Sequence, residues 1–342
     1  MSLVGVGAGI VGPECGGELA MDIEARRARR EAQRRALRRR RQITLGCLVA
    51  IAAATVALAT GGLGGGASHV RPGGKARTGH GKGNAHRRSS PAAGKPAARG
   101  GPPGRRPVPI LMYHVIAAPP SGAPFPGLYV EPQEFAEQMQ ALKDAGWHAV
   151  TPDQVEANWR RGMPLGAGKP IVLSFDNGYQ SQYTQALPVL RRLNWVAEEN
   201  LQLNGLPPSQ GGLGQAEIRG LVAAGWELDT QGFSHADLIT LDATQLHYEV
   251  AISRRVLQNR FHVPVNWFCY PSGHYDATVV AAVKAAGYVG ATTVVPGWAH
   301  PSDDPYRLHR LRVSGGTSAS ELLATLAAIK DDPPAPASYG GA

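Results

Sequence analysis

The chain has 342 residues, 43% of them hydrophobic and 18% charged, with a formal net charge of +9. That charge is unevenly laid out: residues 1–107 hold 20 of the 35 Lys and Arg but 5 of the 26 Asp and Glu, which leaves residues 108–342 at a net of −6. This argues against a nucleic-acid-binding fold, which needs a basic face on the folded part. Of the three cysteines, Cys15, Cys47 and Cys269, one falls after residue 107, so that region has no internal disulfide.

Residues 1–42 read as a cytoplasmic segment with ten arginines between positions 26 and 41. Residues 43–63 follow as 21 residues without a charge, enough to cross a hydrocarbon core of about 30 Å. Arginines before the span and none inside it put the N-terminus in the cytoplasm. This predicts a signal-anchor: one transmembrane helix at the cell membrane, with the rest of the chain extracytoplasmic. The alternative is a signal peptide cut near Ala57-Leu58-Ala59 and a secreted chain. Beside a span, the arginines face anionic lipid and not nucleic acid. Residues 64–107, rich in Gly, Ala, Pro, Ser, Lys and Arg, cannot build a core and read as a disordered linker. Residues 331–342, with Pro333, Pro334 and Pro336, read as a disordered tail.

Between them, residues 108–330 alternate apolar runs with helical patterns. A junction recurs at Ala145-Gly146-Trp147, Ala224-Gly225-Trp226 and Ala286-Gly287-Tyr288, with Asn194 in place of Gly before Trp195. Gly and Asn accept the left-handed turn that ends a helix. Apolar stripes at Phe135, Met139 and Leu142, at Leu246, Val250 and Leu257, and at Leu322, Leu326 and Ile329 have helical spacing. Strand-like runs fall at 108–113, 147–151, 171–175, 200–204, 226–230, 265–270 and 289–294, with a weaker one near 308–313. Such alternation implies an α/β fold with parallel strands, an irregular (β/α) barrel of seven or so strands; a doubly wound open sheet is the alternative. Unusual residues cluster just after the strands, at the end that carries chemistry in a barrel.

Those clusters carry a family resemblance. Val108-Pro109-Ile110-Leu111-Met112-Tyr113-His114 looks like the opening strand of many polysaccharide deacetylases of the NodB-homology type. Ser174-Phe175-Asp176-Asn177-Gly178-Tyr179 is similar to their first motif, the stretch from Asp229 to Leu238 to their second, and Phe268 to Asp276 to their third. The resemblance implies a hydrolase that removes N-acetyl groups from amino sugars of cell-wall or surface glycans, using a divalent metal, zinc above all, held by one Asp and two His. A metal of this kind lowers the pKa of its water and polarises the acetamide carbonyl.

Carried over residue by residue, Asp176 matches the general base and His235 the second His ligand. Asn177 stands where the Asp ligand is expected and Gln231 where the first His is expected. Neutral amides make a poorer zinc site than carboxylate and imidazole. Asp229, two residues before Gln231 and so on the same strand face, is a possible substitute ligand with Asp176 and His235; its alternative is a local hydrogen-bonding role. His114, Tyr179, Tyr270, Pro271 and Trp298 are expected to shape the substrate groove, with Trp298 as a sugar platform. His309 reads as a rim residue, and Cys269, inside an apolar strand, as packed. The partner is an N-acetylated glycan, with the membrane reached through residues 43–63. The rival function is a catalytically inactive deacetylase fold that binds glycan.

Overall fold

The computed structural model describes residues 100–204, 211–329 and 333–341. The expected cytoplasmic segment, the span at 43–63 and residues 64–99 of the linker lie outside the described residues. Among the described residues, no helix is long and apolar enough to cross a membrane.

The chain forms strands β1 (Ile110–Tyr113), β2 (Val115–Ile116), β3 (Tyr129–Val130), β4 (Trp147–Ala149), β5 (Lys169–Asn177), β6 (Glu198–Leu201), β7 (Glu227–Thr230), β8 (Trp267–Cys269), β9 (Gly290–Thr292) and β10 (Leu311–Arg312). The helices are α1 (Pro132–Asp144), α2 (Pro152–Arg161), α3 (Leu187–Leu193), α4 (Gln215–Ala223), α5 (Ala243–His247), α6 (Ser253–Phe261), α7 (Ala277–Ala285) and α8 (Ala319–Ala328). Seven strands run in the order β10-β1-β5-β6-β7-β8-β9, β4 pairs with the start of β5, and every pairing is parallel. The expected barrel thus takes the form of a curled, half-barrel sheet. The segment that ends in β10 runs beside β9, where Leu308 N donates to Ala291 O at 3.0 Å and Thr293 N to Leu308 O at 2.9 Å. It then pairs with β1 through Leu311 opposite Leu111.

The recurring junctions end helices as their residues predict. Gly146, Gly225 and Gly287 have φ of 82°, 87° and 84°, and Asn194 has 57°. Starts are equally legible: Thr151, Asp242 and Ser318 cap α2, α5 and α8, each accepting from the backbone three residues on.

Side chains alternate across each strand. On the outer face Leu111, Tyr113, Leu173 and Phe175 pack on α1, α3 and α8 in one core cluster, with Phe175 stacked on Trp226 at 4.9 Å. Phe268, Tyr270 and Ala291 pack with Val250, Leu257 and Val279 in a second. Trp195 and Trp226 are buried in the first cluster, as their junction positions predict. On the inner face the lower layer is apolar, with Ile110, Val172, Trp267 and Leu308. Above it the inner face turns polar, and the candidate site lies there.

Two segments depart from the expected disorder. Residues 101–107 lie on α2: Gly101 N donates to Gly162 O, Gly104 N to Asn158 O, and Trp159 Nε1 to Arg106 O. In the tail, Tyr339 and Tyr275 exchange backbone hydrogen bonds of 2.8 Å and Arg307 donates to Pro336 O. Proline forbids a helix there but leaves carbonyls free to accept.

Candidate functional site

A cavity of about 560 Å³ opens at the C-terminal ends of the strands. It is lined by Asp176 and Asn177 from the end of β5, His114 after β1, Gln231, Ser234 and His235 after β7, and Tyr179, Ser272 and Arg312. Its outer wall is Pro124, Phe125, Leu128 and Tyr129, with Phe125 68% exposed. The structure therefore brings together six expected site residues: Asp176, Asn177, Gln231, His235, His114 and Tyr179.

Backbone strain marks the same place. Among the described residues five non-glycine residues have positive φ: Asn177, Asn194, His235, His262 and Ser272. Asn194 and His262 end helices, whereas the other three all line the cavity. Such strain persists only where surrounding structure imposes it, and it concentrates at functional sites. At His235 the imposing group is Glu249, whose carboxylate accepts from Phe233 N at 2.7 Å, Ser234 N at 3.0 Å and Ser234 Oγ. At the ends of β1 and β5 the buried Gln182 donates to His114 O at 2.9 Å and to Asp176 O at 2.8 Å.

Asp176 is 1% exposed, and Arg310 is the dominant group beside it. The guanidinium grips both carboxylate oxygens, Nη1 to Oδ1 at 2.8 Å and Nη2 to Oδ2 at 2.9 Å, and Asn200 Nδ2 donates to Oδ1 at 3.1 Å. Burial pushes this carboxyl up; the Arg310 charge, then His114, then the hydrogen bonds from Arg310 and Asn200, outweigh it and hold Asp176 below the usual carboxylate range. Burial lowers His114 to about 4 and lowers His235 as well, so both imidazoles are neutral at pH 7. The 3.9 Å approach of His114 Nε2 to Asp176 Oδ2 is then neither an ion pair nor a hydrogen bond. Burial pushes Tyr179 up to about 12, so its phenol stays protonated.

Other expected residues lie elsewhere. Asp229 is absent from the cavity wall; its Oδ1 accepts from Asn266 N and Trp267 N of β8 at 2.8 and 2.7 Å. It takes the local hydrogen-bonding role and cannot complete a set with Asp176 and His235. Tyr270 is fully buried in the second core cluster, its hydroxyl bonded to Tyr306 O, and Pro271 is buried behind Ser272. Trp298 packs on Trp147 at 5.8 Å, at a separate cleft with Leu323 and Leu326, so it is no platform for this cavity. His309 is 1% exposed, 3.6 Å from Asp303, because strand alternation turns it away from the face that Arg310 takes. Cys269 is packed, but against Arg310 Nη2 at 3.1 Å and near Asp176.

The donors facing the cavity do not fit the divalent metal that the resemblance implies. Asn177 and Gln231 offer uncharged amides, His235 one imidazole, and both oxygens of Asp176 are already engaged by Arg310. Arg312 adds a positive charge to the same wall. A zinc site needs anionic or imidazole donors free to converge on one point. Among the described residues no three His, Cys, Asp or Glu side chains converge in that way.

Similarity to known proteins agrees with the fold. A family profile described as Polysaccharide deacetylase matches residues 166–291. The Bacillus subtilis protein named "Putative polysaccharide deacetylase YxkH" is 29% identical over 223 residues, covering 65% of this chain and 77% of that one. Among solved structures, Streptococcus pyogenes deacetylase PplD in complex with acetate has 26% identity and a TM-score of 0.60, covering 65% of this chain and 99% of that chain. A polysaccharide deacetylase from Bacillus cereus has 26% identity and a TM-score of 0.57, with 65% and 69% covered. Ordered motifs, curled parallel sheet and these likenesses agree on similarity to the polysaccharide deacetylase (NodB homology) family, which the profile match places over residues 166–291.

Proposed function

We propose that this polysaccharide-deacetylase-like domain takes an N-acetylated amino sugar of a cell-wall or surface glycan into the cavity and holds it without metal-assisted hydrolysis. The observation that carries this reading is the donor set: amides at Asn177 and Gln231 beside an Asp176 locked by Arg310. Amides and neutral imidazoles suit hydroxyl and acetamido groups, which both donate and accept. The exposed Phe125, with Pro124 and Leu128, offers an apolar rim for a sugar ring face.

A second reading, removal of the N-acetyl group, is favoured by one observation: Asp176 faces the cavity and is ionised, as a general base must be. Titrating the full chain with N-acetylglucosamine oligomers while assaying free acetate separates the two. Binding without acetate supports recognition. Acetate release lost in Asp176→Asn establishes hydrolysis instead. Neither binding nor release rejects both.

We also propose the N-terminal arrangement read from the sequence: residues 43–63 as a single-pass anchor, with residues 108–330 extracytoplasmic. Its support is the uncharged stretch behind ten arginines. Protease added to intact cells should digest the C-terminal domain; protection until lysis would reverse the orientation.

A further inference from the structure

Two arginines stand on one face of the strand that closes against β1. Residues 310 and 312 are two apart, so they point the same way, while Leu311 between them enters the outer core. Every arm of Arg310 is engaged: Nε donates to Thr293 O at 2.7 Å, Nη1 to Ser174 Oγ at 3.1 Å and Asp176 Oδ1, and Nη2 to Asp176 Oδ2 and Cys269 Sγ. Arg312, one rung nearer the mouth, is exposed and lines the cavity. Among the described residues no carboxylate lies within ion-pair distance of it. The one acidic side chain on the cavity wall, Asp176, belongs to Arg310.

The cavity therefore presents an uncommitted guanidinium. Beside it are two buried polar groups without a protein partner, His114 Nδ1 and Gln231 Oε1, on residues that line the same wall. Buried polar atoms are nearly always hydrogen-bonded, so unpartnered ones on residues that line a cavity leave bonding capacity beside it. A guanidinium offers paired N–H donors in a plane that matches a carboxylate.

We propose that the cavity selects an acidic saccharide, an N-acetylated sugar bearing a carboxylate that Arg312 binds. This rests on the glycan-recognition reading above and names its ligand class. The carboxylate can be ether-linked, as in N-acetylmuramic acid, or on the ring, as in an N-acetylated aminohexuronic acid.

The test is calorimetric titration of the full chain with N-acetylmuramic acid, N-acetylgalactosaminuronic acid, and the methyl ester of each. A charge-assisted pair of this kind is worth about tenfold or more in affinity. At least one acid should bind about tenfold tighter than its ester, and which one identifies the source of the carboxylate. Arg312→Gln should bring the acid-to-ester ratio close to one, and Arg312→Lys should keep part of it. Equal binding of acids and esters, or a preference that survives in Arg312→Gln, overturns the proposal while leaving glycan recognition intact. Binding of neither acids, esters nor N-acetylglucosamine oligomers rejects glycan recognition itself, and this proposal with it.

Discussion

Asp176, Asp229 and Glu198 are almost wholly buried carboxyl groups inside the same curled sheet, Asp229 level with Asp176 through Asn200 and Glu198 one rung beneath. Asp176 meets a two-pronged guanidinium and an amide, and is held ionised. Asp229 has two backbone amides on one oxygen and none on the other, and burial pushes it up to about 8. Both oxygens of Glu198 lack a partner, and burial, with Asp229 beside it, pushes its carboxyl well above the usual carboxylate range. Position on a strand does not decide charge in this interior; the single guanidinium does. Counting acidic residues therefore overstates the negative charge offered to a metal. Among the described residues the cavity wall carries one carboxylate, Asp176, already paired with Arg310.

The largest expected effect comes from removing the guanidinium. Arg310→Met strands a buried charge and should lower unfolding free energy by about 3–5 kcal/mol. Asp176→Asn in the same chain should restore much of it. Denaturant unfolding measures both; a loss below about 1 kcal/mol for Arg310→Met would mean that Asp176 is not charged.

Protonation separates His114 from Asp229 next. His114 is held near 4 against 6.5 when unfolded, so the unfolded chain binds more protons between those values. Stability contributed by its neutral form is complete above pH 6.5 and falls by about 3 kcal/mol as pH drops to 4. Asp229 has the opposite sign: raised to about 8, its contribution is complete in acid and lost as pH rises from about 4 through 8. Subtracting unfolding curves of His114→Gln and Asp229→Asn from wild type should give differences of opposite slope. Slopes of the same sign would break the comparison.

Smaller changes sharpen it. Glu249→Gln disturbs three hydrogen bonds that shape the His235 loop; a loss of about 1–3 kcal/mol is expected, with weaker glycan binding. Unchanged affinity would mean that the loop does not touch the ligand. Glu199 lies on the outer face with both oxygens unpartnered and burial raising its carboxyl. Its contribution is complete in acid and lost as pH rises, so Glu199→Gln should melt a few degrees higher at pH 8 and near wild type at pH 4. No gain at pH 8 would show that Glu199 has a partner.

Much of this was legible in the sequence. Helix-ending Gly and Asn, capping residues and apolar stripes each act locally, so β5, α1 and the junctions emerge from short windows. The ordered motifs located Asp176, Asn177, Gln231 and His235 at the same end of the sheet. What escaped was long-range. Arg310 meets Asp176 across 134 residues, and Glu249 reaches the 232–235 loop from another helix. The signal was present, since a charged residue in an otherwise apolar strand rarely lies buried unpaired. Assigning its partner required the pairing of strands. Trp298 was misplaced for the same reason: an aromatic in a Pro-Gly loop can reach either end of the sheet, and its packing on Trp147 decides which.

The central claim is that the cavity's donor set does not hold a catalytic metal. Its most direct test is the zinc content of the full chain after incubation with zinc and desalting, beside Asn177→Asp with Gln231→His. The account predicts far less than one equivalent in wild type and a large gain in the double variant. About one equivalent in wild type, lost in His235→Ala, would contradict it and return the domain to metal-dependent hydrolysis.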